Sequence, residues 1–415
     1  MGNKKKGSFS EVAEEFYQYH PQETLEKEQG KHKNPISIGI PNELERYEKR
    51  LVLRPEAVAI LVNNGYDVRV ESGAGNSAKY TDREFSEAGA KIVYSAKEAF
   101  EVDIVLKISP PTLKEINYMK KGKTVFSALQ LNTLPLEYIE ALLDKDITAL
   151  AFELIEDKVG GLPVVRAMSE IAGSTVMLIA AEQLSSLNEG KGIIMGGITG
   201  VPPTKVVVLG AGTVAEFAVR TAIGLGAEVM VFDNHIYKLR RLKESLGLHQ
   251  LYTSTIDMLT LEEALADCDV AIGAIRAEEG VTPCVVTEEM VAKMKPDSVI
   301  IDVSIDQGGC FDTSECTTHV QPTYRKHGVI HYCVPNMASR VSRTATSAIS
   351  NIFTPILSQI IELGGIDKMI FQNSWFAHGI YTYRRGVTNK LLANKFKLPF
   401  KDLELIIAAS TSIGR

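Results

Sequence analysis

A glycine-rich turn is the part of this sequence whose residue types and spacing have the clearest chemical use. It occupies residues 210–215, GAGTVA, and directly follows the apolar residues 205–209, which predict a strand. Gly210 allows a tight turn, Gly212 lets the main chain approach a pyrophosphate, and Ala215 lets the following helix pack closely on the sheet. The first N–H groups of that helix would face the phosphate oxygens. The spacing therefore predicts a dinucleotide-binding site.

An acidic residue stands where such a site needs one. A second predicted strand, residues 228–232, is followed at once by Asp233. A carboxylate at this position can accept hydrogen bonds from both ribose hydroxyls and repels a 2′-phosphate, which favours NAD over NADP. Lys238, Arg240 and Arg241 follow closely and could offset that repulsion. NAD is the expected cofactor, and NADP stays open as the alternative.

Strand-like and helix-like stretches alternate along the chain before and after this turn. Such alternation is typical of βαβ units, in which helices cover both faces of a parallel sheet. The first series of predicted strands covers residues 36–40, 67–71, 103–108, 124–126 and 147–152. The second series covers residues 205–209, 228–232, 270–272, 298–301 and a segment near His331. Apolar periodicity predicts helices over residues 55–64, about 169–187, and 344–363.

These elements predict an α/β fold with two Rossmann-like domains, the second inserted into the first. Residues 35–167 and 343–415 are expected to form the substrate domain, and residues 168–342 the NAD-binding domain. Two long helices should connect the domains, and the C-terminal tail should return to the first. Residues 1–34 are polar and rich in Glu, Lys and Gln, and we interpret them as an N-terminal extension.

Composition narrows the classes of partner. The 415 residues carry a formal net charge of −6 with acidic and basic residues interspersed, which indicates neither nucleic-acid binding nor a basic membrane patch. No apolar stretch is expected to reach the roughly 20 residues that a membrane span needs. The five cysteines form no CxxC pair, so we expect reduced thiols in a cytoplasmic protein and no metal site.

Several longer motifs connect the chain to a known family. They occupy residues 39–43, 71–75, 168–173, 303–309 and 334–337. On these motifs the chain, from about Ser37 onwards, resembles alanine dehydrogenases and the soluble hydride-transfer component of proton-translocating transhydrogenases. The IDQGG and NM motifs are more similar to alanine dehydrogenase. The resemblance implies a cleft between the two domains, a homo-oligomer (hexamer or dimer), and reversible oxidative deamination of L-alanine to pyruvate and ammonia.

The resemblance also implies roles for individual residues. Arg50 matches the arginine that binds the substrate carboxylate, although an ordinary surface arginine before a helix would look the same. Asp306 matches an aspartate that binds the amine or orients water near the nicotinamide, with a loop-capping aspartate as the alternative. Asn336 and Met337 match residues beside substrate and nicotinamide. Ser169 matches a serine that bonds a cofactor phosphate, unless it caps a helix. The expected cofactor contacts are Ser169, Gly210, Gly212, Thr213, Val214, Ala215, Asp233, Lys238, Ala274, Ile275, Asp306 and Met337.

Two positions depart from the family pattern. Ser109 stands where the family has its catalytic lysine, and Gln130 stands where it has its catalytic histidine. Glutamine can donate and accept hydrogen bonds but does not titrate. Lys107 should share a strand face with Ser109 and could reach a substrate oxygen, unless it only flanks the end of the sheet. His331, the other acid or base considered, is more simply interpreted as a strand residue.

Three functions are compatible with this set of residues. The first is an NAD-dependent alanine dehydrogenase-like enzyme with a rearranged acid and base, acting on L-alanine, pyruvate or a related 2-oxo acid. The second is hydride transfer between two nicotinamide nucleotides with a partner subunit, which needs no proton donor in the cleft. The third is a non-catalytic NAD-binding homologue. For the first, substrate contacts are expected from Arg50, Ser109 and Asn336, and catalytic contributions from Asp306, Lys107 and Gln130.

Overall fold

Fifteen strands among the described residues form two separate sheets. The structure, a computed structural model, describes residues 35–413 apart from 132, 158, 248–250 and 277–281. The predicted N-terminal extension lies outside the described residues. The strands are β1 (Ser37–Ile40), β2 (Asp67–Glu71), β3 (Lys91–Val93), β4 (Ile104–Leu106), β5 (Thr124–Ser127), β6 (Thr148–Ala151), β7 (Lys205–Leu209), β8 (Glu228–Phe232), β9 (Leu251–Ser254), β10 (Val270–Gly273), β11 (Val299–Asp302), β12 (Thr323–Lys326), β13 (Val329–Tyr332), β14 (Ile380–Tyr383) and β15 (Gly386–Val387).

The first sheet has the strand order β15-β14-β6-β5-β4-β1-β2-β3. Strands β1 to β6 run parallel, whereas β14 pairs antiparallel with β6 and β15 antiparallel with β14. The predicted return of the C-terminal tail to the first sheet is therefore confirmed. In an open parallel sheet, ligands bind at the carboxyl ends of the strands where the strand order reverses. That point lies between β1 and β4, and these strands are followed by Glu43 and Lys107.

The second sheet has the strand order β12-β13-β11-β10-β7-β8-β9. All its strands run parallel except β12, which pairs antiparallel with β13. Its order reverses between β7 and β10, which are followed by Gly210 and Ala274. All strands of this sheet lie between β6 and β14 in the sequence. The predicted fold, two Rossmann-like units with one inserted into the other, is thus confirmed.

Helices cover the faces of both sheets. The helices are α1 (Pro55–Asn63), α2 (Asp82–Glu87), α3 (Ala96–Phe100), α4 (Leu113–Tyr118), α5 (Leu136–Asp144), α6 (Pro163–Gln183), α7 (Thr213–Gly224), α8 (Ile236–Leu246), α9 (Met258–Asp267), α10 (Glu288–Ala292), α11 (Ser342–Leu363), α12 (Ile366–Gln372), α13 (Ser374–Ala377), α14 (Lys390–Phe396) and α15 (Leu403–Ile413). Short 3₁₀ turns at Ile305–Gln307 and Met337–Val341 follow two strands of the second sheet.

The two long helices α6 and α11 connect the sheets, as predicted. A Cβ atom on Gly173 of α6 would lie 2.3 Å from the carbonyl oxygen of Val214 in α7, so glycine is what lets these two helices pack closely. The buried face of α11 includes Ile349, Phe353 and Leu357, which confirms the predicted apolar periodicity. Through this face α11 packs into the apolar core of the first sheet.

Boundaries and short strands differ from the prediction. Helix α6 begins at Pro163, six residues before the predicted start, because proline is favoured in the first turn of a helix. Strands β3, β9, β12, β14 and β15 were not predicted. They are two to four residues long, and a segment that short carries little apolar alternation of its own.

One helix of the described residues, α6, is long and apolar enough by composition to cross a membrane. Residues 337–363 and 366–372 are a second candidate only if they are taken together as one span, although the chain bends by 102° between them. The sequence prediction that no stretch reaches such a length therefore has an exception in α6. In α6, 44 % of the most apolar 18-residue stretch is buried inside the protein. Core helices of soluble proteins can be equally long and apolar.

Candidate active site

Gly210 fixes the turn at the carboxyl end of β7. Its φ of +102° lies in the left-handed region, and an added Cβ would lie 2.6 Å from the carbonyl oxygen of Ala274. Side chains are strained in this conformation, and the contact is with backbone that cannot easily move. Gly210 and the Ala274–Ile275 segment therefore lie side by side where the strand order reverses.

Gly212 is open on its outer side. It is the N-cap of α7 with an extended φ of −83°, and an added Cβ would meet no protein atom within 4 Å. No side chain caps this helix, so the N–H groups of Thr213 and Val214 have no side-chain acceptor at the cap. Ala215 is fully buried. Open space in front of free helical N–H groups suits a phosphate group, so these residues fit a dinucleotide.

Asp233 ties the glycine turn to the end of β8. One carboxylate oxygen accepts the N–H of Ala211 at 2.8 Å, and the other accepts the N–H of His235 at 2.7 Å and faces His235 Nδ1 at 2.9 Å. Ribose hydroxyls would therefore share this carboxylate with the turn. Sequence reasoning missed His235. The Lys238 ammonium lies 5.9 Å from the Tyr237 ring centre, beside the same carboxyl end.

Ser169 lies inside α6 and not at its start. Because the helix begins at Pro163 and its N-cap is Leu162, the alternative that Ser169 caps a helix is wrong. Ser169 precedes Gly173 by one helical turn, so both lie on the face that approaches the start of α7. The position is compatible with the predicted phosphate contact.

Arg50 is held by a neighbouring carboxylate. Its Nε donates to Glu48 Oε1 at 2.8 Å and its Nη2 to Glu48 Oε2 at 2.6 Å. The Arg50 side chain is only 14 % exposed, which contradicts an ordinary surface arginine. Glu48 Oε2 also accepts the Asn336 side-chain amide at 3.0 Å, so this group spans the two domains. The sequence indicated Arg50 and Asn336 but not the glutamate between them.

Lys107 is paired with Glu43 at the reversal point of the first sheet. Its ammonium lies 2.8 Å from Glu43 Oε2, and the side chain is 2 % exposed. The same carboxylate accepts the N–H groups of Ile108 at 2.5 Å and Ser109 at 3.2 Å. Burial raises the pKa of Glu43, and the charge of Lys107 opposes that rise. Lys107 therefore stabilises the carboxyl end of β4 through its ion pair with Glu43. Its ammonium group could contact a substrate oxygen only if this pair were broken.

Ser109 and Gln130 line one pocket of about 430 Å³ together with Lys107, Glu45 and Tyr138. The Ser109 hydroxyl donates to Glu45 Oε2 at 3.3 Å. Gln130 is exposed and has a left-handed φ of +43°. The Thr133 hydroxyl donates to the backbone carbonyl oxygen of Gln130 at 3.0 Å. The structure thus brings Ser109 and Gln130 together, whereas Arg50, Asp306 and Asn336 are not part of this pocket's lining.

Glu153 lies beside Gln130 and was missed by sequence reasoning. Its Oε1 accepts the N–H of Leu129 at 2.6 Å, and its buried Oε2 has no hydrogen-bond partner among the described residues. Burial raises the pKa of this carboxyl group. No sequence motif marks the residue, because its place depends on the pairing of β5 with β6.

Asp306 and Met337 stand on the two 3₁₀ turns of the second domain. Asp306 remains open to solvent on one side, while partial desolvation by the protein raises its carboxyl pKa. The N–H groups of Ser304 and Cys310 donate to Asp302, so Asp302 organises this loop. That geometry does not favour the alternative in which Asp306 caps the loop. Met337 is buried directly after Asn336.

Histidines and cysteines have structural settings in this domain. His331 is fully buried in β13, with Nε2 2.8 Å from the Thr313 hydroxyl and Nδ1 3.1 Å from the carbonyl oxygen of Val329. It is a strand residue, as predicted. The five cysteines, all within the described ranges, are free thiols. The described residues contain no group of three His, Cys, Asp or Glu side chains that could hold a metal ion.

Comparisons with known proteins cover nearly all of the described chain. Residues 39–172 match the N-terminal domain, and residues 176–390 the C-terminal domain, of the alanine dehydrogenase/PNT family. The alanine dehydrogenase of Bacillus subtilis (strain 168) is 37 % identical over 378 residues, which cover 91 % of this chain and 99 % of the relative. That of Mycolicibacterium smegmatis is 37 % identical over 374 residues, covering 89 % of this chain and 100 % of the relative.

Two solved structures extend the comparison. An L-alanine dehydrogenase structure aligns with a TM-score of 0.83 at 34 % identity and covers 87 % of this chain and 99 % of its own. A transhydrogenase from Sinorhizobium meliloti aligns with a TM-score of 0.73 at 24 % identity, which shows a shared fold, and covers 86 % of this chain and 99 % of its own. With both family domains matched in order and relatives above 30 % identity along almost their whole length, the chain belongs to the alanine dehydrogenase/PNT family.

Proposed function

We propose that this chain is an NAD-dependent alanine dehydrogenase-like oxidoreductase, converting L-alanine, NAD and water to pyruvate, ammonia and NADH, and the reverse. The observation that carries the proposal is the hydrogen-bonded group of Arg50, Glu48 and Asn336. It joins a carboxylate-binding side chain of the first domain to the loop of the second domain that follows β13. Similarity to alanine dehydrogenases at 37 % identity supports this reaction.

The cofactor half of the site is complete in residue types. Bound NAD would supply the hydride acceptor. The N–H groups at the start of α7 would bind its pyrophosphate above Gly212, and Asp233 would accept from its ribose while still holding Ala211. Ser169, Lys238, Ile275 and Met337 complete the proposed contacts. The N–H groups of Ala211 and His235 hold the two Asp233 carboxylate oxygens, and a fixed negative charge at this point favours an unphosphorylated ribose.

The substrate half must work with few titrating groups. Arg50 would bind the substrate carboxylate and share its fork with Glu48, and Asn336 would orient that pair. Ser109 and Gln130 can hydrogen-bond a substrate oxygen but cannot exchange a proton at neutral pH. Lys107 is occupied by Glu43. Asp306, whose pKa is raised by partial burial, is suited to orient the water or the amine.

The test is NADH oxidation with pyruvate and ammonia, beside glyoxylate and larger 2-oxo acids. Arg50→Met should raise KM for the oxo acid at least tenfold, because the proposed carboxylate contact is lost together with the hydrogen bonds that Arg50 makes to Glu48, and NADH affinity should change much less. Arg46→Met is the matched control, since Arg46 lies on the same loop but is exposed. NADH binding without turnover of any oxo acid would contradict the proposal.

Two alternatives have specific observations behind them. The non-titrating Gln130 suits hydride exchange between two nicotinamide nucleotides, which is tested by thio-NADP reduction with NADH and a partner nucleotide-binding subunit. The buried Lys107–Glu43 pair suits a non-catalytic NAD-binding homologue. In that case the native protein would be inactive, and Ser109→Lys together with Gln130→His would restore alanine oxidation.

Assembly into a homo-oligomer, a hexamer or a dimer, is part of the same proposal. A stretch after α6 exposes Leu187, Ile194, Ile198 and Val201. Clustered exposed apolar side chains are typical of surfaces that contact another protein. Sedimentation velocity on the full chain measures the assembly directly, and a monomer at micromolar concentration would contradict it.

A further inference from the structure

The pocket that Ser109 and Gln130 line is large for the side chain of alanine. Its walls come from the segments that follow β1, β4 and β5 and from the first turns of α4 and α5. Its volume of about 430 Å³ lies within the range of small-molecule pockets, about 300–1,000 Å³. A methyl group is on the order of one water molecule, ~30 Å³, and would leave most of this space unfilled. The pocket therefore has room for a longer side chain.

Most of the pocket wall is apolar. Pro110 and Pro111 have no N–H group to offer a ligand, and the buried Leu134 also lines the pocket. Leu44 and Leu113 belong to the lining as well, yet they remain 63 % and 44 % exposed. A bound aliphatic chain would remove part of this apolar surface from water, which stabilises a complex. The wall therefore suits the methylene groups of a longer substrate.

A single carboxylate gives the pocket its net charge. Lys107 is the only positively charged residue among the described ones that line it, and Glu43 neutralises that charge at 2.8 Å. Glu45 also lines the pocket and forms no ion pair with any described residue. The neighbouring guanidinium of Arg46 lies over the Tyr47 ring, 5.6 Å from its centre. The pocket therefore presents a negative charge that no cation of the described chain compensates.

Ser109 orients this carboxylate. Its hydroxyl belongs to a residue only 5 % exposed and donates to Glu45 Oε2 at 3.3 Å, while Glu45 Oε1 has no hydrogen-bond partner among the described residues. The Glu48 N–H donates to the Glu45 carbonyl oxygen at 3.1 Å, and the Glu48 side chain holds Arg50. One tight turn thus joins the charge of the pocket to the arginine that is proposed to bind the substrate carboxylate.

We propose that this pocket binds the side chain of an amino acid longer than alanine that ends in an ammonium or guanidinium group, with Glu45 as the specificity-determining residue. The inference rests on the proposed alanine dehydrogenase-like function and names a substrate class for the same site. A fixed carboxylate attracts a cation and repels a second carboxylate, so it selects against acidic side chains. Hydride passes from C2 to NAD, water adds to that carbon and ammonia leaves, as with L-alanine, while the terminal cation is unchanged.

Three L-amino acids of nearly equal length test the inference, with NADH formation as the readout. The side chain of L-lysine ends in an ammonium group, that of L-norleucine in a methyl group, and that of L-2-aminoadipate in a carboxylate. At about pH 8 the L-lysine side chain keeps its charge. For the full-length wild type we expect kcat/KM to be about fivefold higher for L-lysine than for L-norleucine, the scale of an ion pair at an exposed carboxylate, and lowest for L-2-aminoadipate.

Two variants of Glu45 separate specificity from a structural role. Glu45→Gln should bring the ratio of kcat/KM for L-lysine to that for L-norleucine close to one, and Glu45→Lys should make L-2-aminoadipate a better substrate than L-lysine. A structural role would lower all three values together without reversing their order. Glu137→Gln is the matched control and should keep the wild-type ratio, because Glu137 is an exposed carboxylate in the first turn of α5 that does not line the pocket.

The failure of the inference and the failure of the proposed function have different signatures. Turnover of L-alanine without a preference for L-lysine over L-norleucine, or an unreversed order in Glu45→Lys, would overturn the inference alone. A higher KM for ammonium in Glu45→Gln, with the wild-type ratio of L-lysine to L-norleucine, would assign the carboxylate to free ammonium and also overturn it. Wild type that binds NAD but oxidises none of the amino acids, L-alanine included, would overturn the proposed function and the inference with it.

Discussion

The Arg50 guanidinium is pre-oriented, and its orientation comes from Glu48. Two parallel N–H···O bonds fix the plane of the guanidinium before any substrate arrives, and Asn336 fixes the glutamate. Under the proposed function, a substrate carboxylate at Arg50 would meet a partly neutralised charge in a fixed position. We therefore expect weak but selective binding of small acids, since a rigid donor pair favours ligands of matching geometry.

His331 gives the domain a dependence on pH that is independent of the reaction. Burial lowers the pKa of this histidine to about 4 from 6.5, so the folded protein excludes a proton that the unfolded chain binds. At neutral pH His331 is neutral in both the folded and the unfolded chain, and it costs no stability. As the pH falls from about 6.5 to about 4, the unfolded chain binds the proton more readily, and the free energy of unfolding decreases. The total is about 3 kcal/mol in the free energy of unfolding, at about 1.4 kcal/mol per pKa unit.

We predict that His331→Gln lowers stability at pH 7 but flattens this dependence. Urea unfolding at pH 7 and pH 5 measures both effects. The wild type should lose stability between these values, and the variant should lose less. Equal slopes for the two proteins would contradict the assignment of the loss to His331.

At the scale of elements, the two glycines of the turn have different roles: one is required by the fold, and the other leaves space for a ligand. Gly210 is needed by the protein, because its φ is positive and a Cβ would meet the Ala274 carbonyl oxygen. Gly212 is not needed by the protein, because its φ is ordinary and the space beyond it holds no protein atom within 4 Å. The second glycine therefore serves whatever occupies that space.

The two alanine variants should behave differently. Gly210→Ala should lower the free energy of unfolding by about 1–3 kcal/mol through backbone strain, whether or not NADH is present. Gly212→Ala should leave the unfolding of the free protein nearly unchanged and weaken NADH binding at least tenfold. Urea unfolding and NADH fluorescence titration measure the two effects. Loss of stability in Gly212→Ala with unchanged NADH affinity would contradict a pyrophosphate at this position.

The sequence predicts those elements whose signals are local. The run of residues 205–209 and the turn after it identify a strand, a turn and a helix within a dozen residues. By contrast, Glu48 acquires its role from Asn336, 288 positions away, and Glu153 from Leu129, 24 positions away. Contacts of this kind depend on strand order and domain packing, which no local pattern encodes. The same holds for β14, which joins the first sheet only after the inserted domain is complete.

At the scale of the whole molecule, the loop after β1 contacts the segment that follows β13 and so joins the first domain, the proposed substrate half, to the second, the proposed cofactor half. The Ser339 hydroxyl donates to the Tyr47 carbonyl oxygen at 2.6 Å and accepts the Lys49 N–H at 3.0 Å. Further along the loop, Thr346 of α11 accepts the Leu51 N–H at 2.9 Å. These bonds hold the loop of Arg50 on the segment that follows Asn336. A few side-chain bonds of α11 and of the turn before it therefore help to fix the loop of Arg50 relative to the second domain.

Ser339→Ala should consequently disturb the substrate site more than the cofactor site. Removing the hydroxyl leaves the half-buried Tyr47 carbonyl oxygen and Lys49 N–H without this partner, which should cost about 1 kcal/mol of stability. The loop that carries Arg50 should then sample more positions, so KM for the oxo acid should rise several-fold. NADH affinity should stay unchanged, because the glycine turn lies on another element. Ser347→Ala is the control, since its exposed hydroxyl bonds only within α11. An equal loss of NADH affinity and of oxo-acid affinity would show that Ser339 supports the second domain as a whole and not the junction.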